Sequence, residues 1–506
     1  MTTSLSWPDL GVLGLYFAGL VLLGVWCARR TRDSDHFMAA GRAMPGWVLA
    51  LTLFGSFVSS ISFLAQPGKS YAGDWNPFVF CFALPAAAAV GAGVFVPFFR
   101  RSGEVSAYTH LERRFGPWAR TYATACFILL QLTRTGVVTY LLALALAPAF
   151  GIDPAAGTGG LPWIMVGLGV VMTVFPFIGG TDAAIWTGAA QSLVLVAGIV
   201  VSLAVVLCGV PGGAGRVLEV AAEHRKFGLG SWDLSFAGPT VLVVFLYALT
   251  ENLRNFGINQ TYVQLYATAR SDRDARACVW AGAAMYIPLA AMTYLVGTAL
   301  FAFYSTQPGL LPGGVRADRV FPHFIYTQLP AGLRGLVVAG VCAAATDSGF
   351  NYIATLFQCD LYKRYLRPSA SERESLRVLR GATLACGAAS VAIAIAMVRV
   401  KQVLDAWWAL AGIAAGGMLG LFLLGLLCRR AGSRAGAVGV AGGTLAILWM
   451  TASLPAFAEV VPGLGWPRAL EAVRFPWHEF MIPVVGTAAV VGLGSLASLF
   501  LAKEKG

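Results

Sequence analysis

Apolar runs as long as a bilayer core is thick recur from one end of this chain to the other, and that spacing leaves few folds open. A helix needs roughly 20 residues to cross the hydrocarbon. Backbone polar groups there must be bonded within the protein, so only helices and closed barrels span it. Thirteen helical spans can be read, at about 8–28, 44–70, 78–98, 119–149, 161–179, 183–209, 238–263, 277–304, 331–360, 376–398, 404–428, 435–455 and 479–502. Charged residues make up 12% of the 506, about half of the roughly 25% usual in soluble domains. The longest polar stretches, such as 364–378, are too short to fold alone. The expectation is a single all-α integral membrane domain over 1–506, in the cytoplasmic membrane with the lipid bilayer as its surroundings.

A net charge of +12 raises nucleic acid as a partner, but the distribution of the charge argues for a membrane instead. Alternate connections, from Arg29 to Lys505, hold 23 of the 36 basic residues, and the opposite set, from Lys69 to Arg474, holds 11. Basic loops stay on the cytoplasmic side, which predicts an N-terminus outside and a C-terminus inside. An odd number of spans requires the same. The first span has almost no positive charge before it and no clear small-residue cleavage site, so it reads as a retained helix. The nine cysteines form no CxxC pair and lie mostly within spans, which points to buried apolar roles rather than disulfides or zinc.

Two spans are interrupted. Gly55-Ser-Phe-Val-Ser-Ser-Ile-Ser-Phe63 places four hydroxyls at what should be mid-membrane. Such a segment is tolerable only where it faces protein or water. It reads either as close helix packing through small residues or as an unwound helix offering carbonyls to a solute and an ion. The second interruption is Thr250-Glu-Asn-Leu-Arg-Asn-Phe-Gly-Ile-Asn-Gln260. Its plain alternative is a helix emerging from the membrane, with Glu251 and Arg254 paired on one face. Two broken segments separated by four spans fit paired five-helix repeats, at 44–209 and 238–428, with an extra helix at 8–28 before them and helices at 435–502 after. Interrupted helices at matching positions of two halves point to inverted-repeat transporters and their binding site.

At these residues the chain resembles the sodium/solute symporter family. The similarity runs through Gly41-Arg42, Ser60-Ile-Ser-Phe63, Pro67-Gly-Lys-Ser-Tyr-Ala-Gly-Asp-Trp75, Tyr108 to Gly116, Gly179-Gly180 to Gln191, Asn259 to Gln264, Asp347-Ser-Gly-Phe-Asn351 to Lys363, and Gly416 to Gly425. The order and spacing of these blocks carry the match, not any one of them. The resemblance implies a fold of two inverted five-helix repeats, of the LeuT type, with one extra N-terminal and two extra C-terminal helices. That gives the same thirteen spans.

The resemblance also implies sites. Sodium is bound in the family where the first broken helix meets the eighth core span, with carbonyls here falling on Gly55 and Val58. The usual hydroxyl pair on the partner helix falls on Ala344 and Ala345, and an acidic position of a second sodium site falls on Gly188. Hard cations want oxygen ligands, and these three residues offer no side-chain oxygen. Thr346, Asp347 and Ser348 remain as one turn of oxygens; an intramembrane carboxylate is costly unless it has a partner or a function. Asp347 is therefore the candidate to ligate a cation or to carry a proton. Arg134, in Gln131-Leu-Thr-Arg-Thr-Gly136, lies near the centre of its span. In the sialic acid branch of the family an arginine in this span holds the substrate carboxylate, assisted by hydroxyls where this chain has Ser59, Ser60 and Ser62. Gln260 is a further candidate for the solute site. The structural alternative is that Arg134 neutralises Asp182, Glu251 or Asp347. Phe57 and Ser62 stand where the sugar branch carries Asn and His, which argues against a glucose or galactose carrier.

Other motifs carry little. Gly68-Lys69-Ser70 ends a phosphate-loop pattern whose first glycine is Phe63. Asn259-Gln-Thr261 fits a glycosylation sequon at a membrane face. Trp75, Trp118, Trp407 and Trp408 suit interfacial belts. No constellation for catalysis is visible, so no enzyme is expected and no cofactor beyond a coupling ion. The reading is a secondary transporter moving a small polar or anionic organic solute by alternating access, with Na+ as the coupling ion. The alternatives are a sodium-independent or H+-coupled carrier using Asp347, or a solute-sensing membrane module. The absence of an output segment weighs against the last.

Overall fold

The computed structural model describes residues 5–29, 33–58, 60–152, 159–345, 349–398, 416–454 and 468–501. It is helical almost throughout; Ser59, Thr346, Asp347, Ser348, Trp407 and Trp408 lie outside the described residues. Among those described, nine helices are long and apolar enough to cross a membrane, and four shorter apolar helices, Gly46–Phe57, Leu161–Val174, Leu333–Ala343 and Gly416–Leu427, fill the remaining expected spans.

The helices that matter here are α1 (Trp7–Ala28), α2 (Gly46–Phe57), α3 (Ser60–Ala72) and α4, a run of mixed helical turns over Asn76–Ser102. They are followed by α5 (Pro117–Leu146), α6 (Leu161–Gly209), α7 (Val241–Ile258), α8 (Gln260–Thr268) and α9 (Asp272–Thr306). Last come α10 (Leu333–Ala345), α11 (Gly349–Leu356), which runs on as a π-helix over Phe357–Leu366, and α12 (Glu372–Met397).

Both interruptions are real breaks, and each has a local cause. Helix α2 stops where Val58 turns extended (φ −104°, ψ 125°), its N–H closing a last turn on the Gly55 carbonyl at 3.0 Å. The second break is narrower than the sequence suggested. Residues 250–258 are helical, and only Asn259 is extended (φ −74°, ψ 117°). The Asn259 side chain accepts from Thr261 N at 3.0 Å, the capping bond that restarts a helix. Glu251 and Arg254 account for the polarity upstream: they pair one turn apart at 2.6 Å within α7. The two breaks meet through Phe57, whose ring lies 6.0 Å from Phe256 and 5.8 Å from Tyr262, on either side of the second break.

Spans 161–179 and 183–209 are joined without a loop. Gly180 adopts φ +57°, ψ −144° inside α6, a conformation essentially restricted to glycine. A β-carbon there would also come within 2.6 Å of the Phe37 carbonyl oxygen. The extra helix α1 exposes most of its surface, as Leu15 and Leu22 show, and is pinned at its start. Asp9, fully buried, accepts from Ser6 Oγ (2.6 Å), Gly332 N (2.8 Å), Gly335 N (2.9 Å) and Arg334 Nη2 (2.6 Å), tying α1 to the start of α10. The first broken helix sits at the centre of the packing: α2 and α3 both lie against α9, α2 also meets α6, and α3 meets α5 and α10.

Candidate functional site

A cavity opens at the first break. Its walls are Thr52, Gly55 and Ser56 of α2, Val58 at the break, Gly188, Gln191 and Ser192 of α6, Ala343 of α10 and Tyr352 of α11. Its free space of about 30 Å³ suits two or three water-sized occupants, at roughly 10–15 Å³ each. The serine and threonine hydroxyls in the wall have already spent their protons on backbone carbonyls. Ser56 Oγ donates to Thr52 O (3.0 Å), Thr52 Oγ1 to Ile185 O (2.8 Å) and Ser192 Oγ to Leu51 O (2.7 Å). A hydroxyl so engaged presents only lone pairs, which is what a hard cation takes.

The glycines of this cavity are there for approach. Gly55 lies directly against Ser192 Oγ, and a β-carbon at Gly188 would come within 3.0 Å of Thr52 Cγ2. The position that lacks a carboxylate is thus also one whose space a threonine methyl already fills. Of the residues proposed from the sequence for a cation, Gly55 and Val58 line the cavity, and Ala343 brings α10 to its edge just before the segment that holds Thr346, Asp347 and Ser348. Ser60 and Ser62 belong to α3, which continues from the break.

Arg134 is half-buried in α5. Gly136 fixes the orientation of that helix: a β-carbon there would meet Ile393 Cβ at 2.8 Å and Ser390 O at 3.2 Å, so this side faces α12. Arg134, two residues earlier, lies about 200° around the helix from the side that faces α12, on a helix that also packs against α3, α6, α10 and α11. Of the carboxylates considered as its partners, Glu251 is bonded to Arg254, and Asp182, 1% exposed, lies 3.8 Å from His36 Nε2.

Gln260 is not brought to the cavity. Its Oε1 accepts from Ala107 N (2.8 Å), and its Nε2 donates to Val105 O (2.9 Å) and Gln264 Oε1 (2.9 Å). It belongs to a buried polar lattice that sequence reasoning missed. Gln264 Nε2 donates to Met38 O (2.6 Å), Thr181 Oγ1 (3.1 Å) and Thr355 Oγ1 (3.1 Å), and Asn351 Nδ2 donates to Thr181 at 2.5 Å. The lattice joins α8, the turn of α6, α11 and the segment before α2 at the end of the bundle that carries the basic connections. Gln264→Ala would strand several of these groups, at about 1–3 kcal/mol for each buried orphan. The expected result is modification of Cys359, which sits 3.6 Å from Met38 Sδ, at least about fivefold faster by site-resolved mass spectrometry, since about 1 kcal/mol in a closed–open equilibrium is worth that factor. An unchanged rate would mean the lattice does not hold this end shut.

Lys226, outside the spans, is tied into the fold. Lys226, 6% exposed, donates to the Tyr71 (2.7 Å) and Gly73 (3.1 Å) carbonyls at the end of α3, and its Nζ lies 3.9 Å from the centre of the Phe301 ring. Burial lowers its pKa, and Asp74 opposes the shift. His110 is held at about 4 by burial and by Arg114 and Arg113, so it stays neutral at physiological pH. Among the described residues no group of three or more His, Cys, Asp or Glu could hold a metal ion.

The chain is similar to known proteins along most of its length. The model of the sodium:solute symporter family matches residues 37–443. The sodium/sialic acid symporter SiaT of Proteus mirabilis is 30% identical over 443 residues, covering 86% of this chain and 88% of that one. The sodium/sialic acid symporter NanT of Aliivibrio fischeri is 30% identical over 489 residues, covering 96% and 91%. The human sodium-coupled monocarboxylate transporter 1 is 28% identical, covering 87% and 70%. A solved structure of a Na+-coupled sialic acid symporter in a substrate-bound outward-open state superimposes with a TM-score of 0.87 at 28% identity, covering 98% of this chain and 99% of that one.

Proposed function

Given that the chain belongs to the sodium:solute symporter family, we propose that it couples sodium influx to the uptake of a small carboxylate-bearing organic solute, with sialate as the first candidate. It is a multi-pass membrane transporter and not an enzyme. The observation that carries the choice of solute is Arg134, a guanidinium at mid-span on a helix packed against α3. Guanidinium takes a carboxylate bidentately and keeps its charge. In this reading Ser59, Ser60 and Ser62 supply hydroxyl contacts to the rest of the solute. The sialic acid symporters among its relatives support the same choice.

The cation site is the one at the first break. Carbonyls of Gly55 and Val58 and oxygens of Thr346, Asp347 and Ser348 form the ligand set, and Asp347 supplies the negative charge that Gly188, Ala344 and Ala345 do not. The N-terminus lies outside, so the end sealed by Gln264, Thr181 and Asn351 is cytoplasmic and the solute site faces outward. Opening that lattice after solute and sodium have bound, as the outer side closes, is the inward step of alternating access. The two repeats run over 44–209 and 238–428, with the breaks as their matching elements.

Uptake of labelled sialate into proteoliposomes tests the reading. An inward sodium gradient is expected to drive accumulation, and a proton gradient without sodium is expected to drive none. Accumulation with protons alone would transfer the coupling role to protonation of Asp347. No uptake under any gradient would sink sialate as the solute.

A further inference from the structure

We propose that Gln131 is a second solute-binding residue, donating through Nε2 to an oxygen of the solute beside the carboxylate held by Arg134. It deepens the reading of Arg134 as the carboxylate anchor and rests on it. Gln131 is 5% exposed, and its Nε2 is buried with no hydrogen-bond partner. A buried donor left unpaired costs about 1–3 kcal/mol, and such a group in a native fold calls for an ion, a water or a ligand to complete it.

Its position says which. Gln131 precedes Arg134 by three residues, so the two side chains are neighbours on one face of α5. From Gly136, which faces α12, Gln131 lies about 140° around the helix. It is turned, like Arg134, from the side that faces α12. Gly349, the first residue of α11, makes room for it: a β-carbon there would meet Gln131 Cδ at 2.9 Å and Cγ at 3.0 Å. The amide therefore lies across the start of α11, one turn along α5 from the guanidinium. Asn351 and Gln358 also carry unpaired atoms, but Asn351 Nδ2 is committed to Thr181 and Gln358 lies on the π-helix beyond α11.

An amide donor next to an anion anchor selects for a second acceptor on the solute. A carboxylate flanked by a hydroxyl, carbonyl or ring oxygen satisfies both groups, whereas a plain aliphatic carboxylate leaves the amide buried and unpaired. Sites built to bond a substrate oxygen reject analogues that lack it. The expected preference is for oxygenated acids, such as sialate or a 2-hydroxy acid, over propionate.

The test compares wild type with Gln131→Leu and the near-isosteric Gln131→Met in proteoliposomes, with Arg134→Gln in parallel. Both Gln131 variants are expected to raise the KM for sialate about tenfold, the weight of one buried hydrogen bond, without lowering the melting temperature of the solute-free protein. The inhibition of sialate uptake by lactate over propionate should narrow by a similar factor. A lowered melting temperature with an unchanged KM would show a packing role only and overturn the proposal. Arg134→Gln reports on the anchor separately: wild-type uptake there sinks the carboxylate reading itself, whatever Gln131 does.

Discussion

Arg134→Gln is expected to abolish sialate uptake, with kcat/KM falling by about two to four powers of ten. The figure follows from two charge-assisted hydrogen bonds, each worth about 1.5–3 kcal/mol, at one decade per 1.4 kcal/mol. Glutamine keeps a donor and most of the length but loses the charge and the fork. Arg134→Lys restores the charge without the bidentate geometry, so it should recover only part of the activity. Uptake of labelled sialate under a sodium gradient, with the melting temperature as the control for folding, is the measurement. Wild-type uptake by the glutamine variant would remove Arg134 from the site.

The largest effect on stability is expected at Asp360. Its carboxylate is fully buried and accepts from Arg120 Nη2 at 2.5 Å, Thr124 Oγ1 at 2.7 Å and Ser106 Oγ at 2.8 Å. Arg120 in turn reaches Glu112 at 2.8 Å, and Glu112 is also paired with Arg364. This knot fastens the π-helix after α11 to the start of α5 and to the short helix Thr109–Phe115. Asp360→Ala would leave Arg120 half-compensated in a buried place, where breaking an ion pair from one side costs about 3–5 kcal/mol. A clear drop in melting temperature is expected, smaller for Asp360→Asn, which keeps acceptor and shape. Replacing Asp360 and Arg120 together by leucine and methionine should recover much of the loss, since a buried pair is often matched by apolar residues of similar volume. An unaltered melting temperature in Asp360→Ala would mean the knot is not holding the fold.

The spans were legible because bilayer thickness imposes a length that composition cannot hide. The first break was legible for a related reason: Gly55 and its flanking serines have no place on a lipid-facing helix. The second was read too broadly, since Glu251 and Arg254 interrupt the hydropathy of α7 without interrupting its backbone. Polarity inside a span thus has two sources, a broken helix or a paired charge, and sequence does not separate them. Gln260 shows the same limit from the other side. Its spacing of four from Gln264, and that of Asn351 from Thr355, put each pair on one helical face. What those faces meet depends on how α8, α11 and the turn of α6 come together, which no local pattern records. In the sequence Gln131 stands out only as a neighbour of Arg134, because an unpaired amide is visible only once its surroundings are in place.

The contact between Gly188 and Thr52 carries a consequence for how such a site can change over time. An acidic side chain at 188 would start from a β-carbon only 3.0 Å from the Thr52 methyl, so that methyl has to give by a few tenths of an ångström. A smaller residue at 52 alone would empty space there without adding a ligand. The acid at 188 carries the oxygens, and the smaller residue at 52 supplies the room for them. The two positions are therefore coupled, and an acid at 188 is expected to be tolerated better with a smaller residue at 52. Packing at Thr52, and not only the chemistry of the ion, then weighs against a carboxylate ligand at 188.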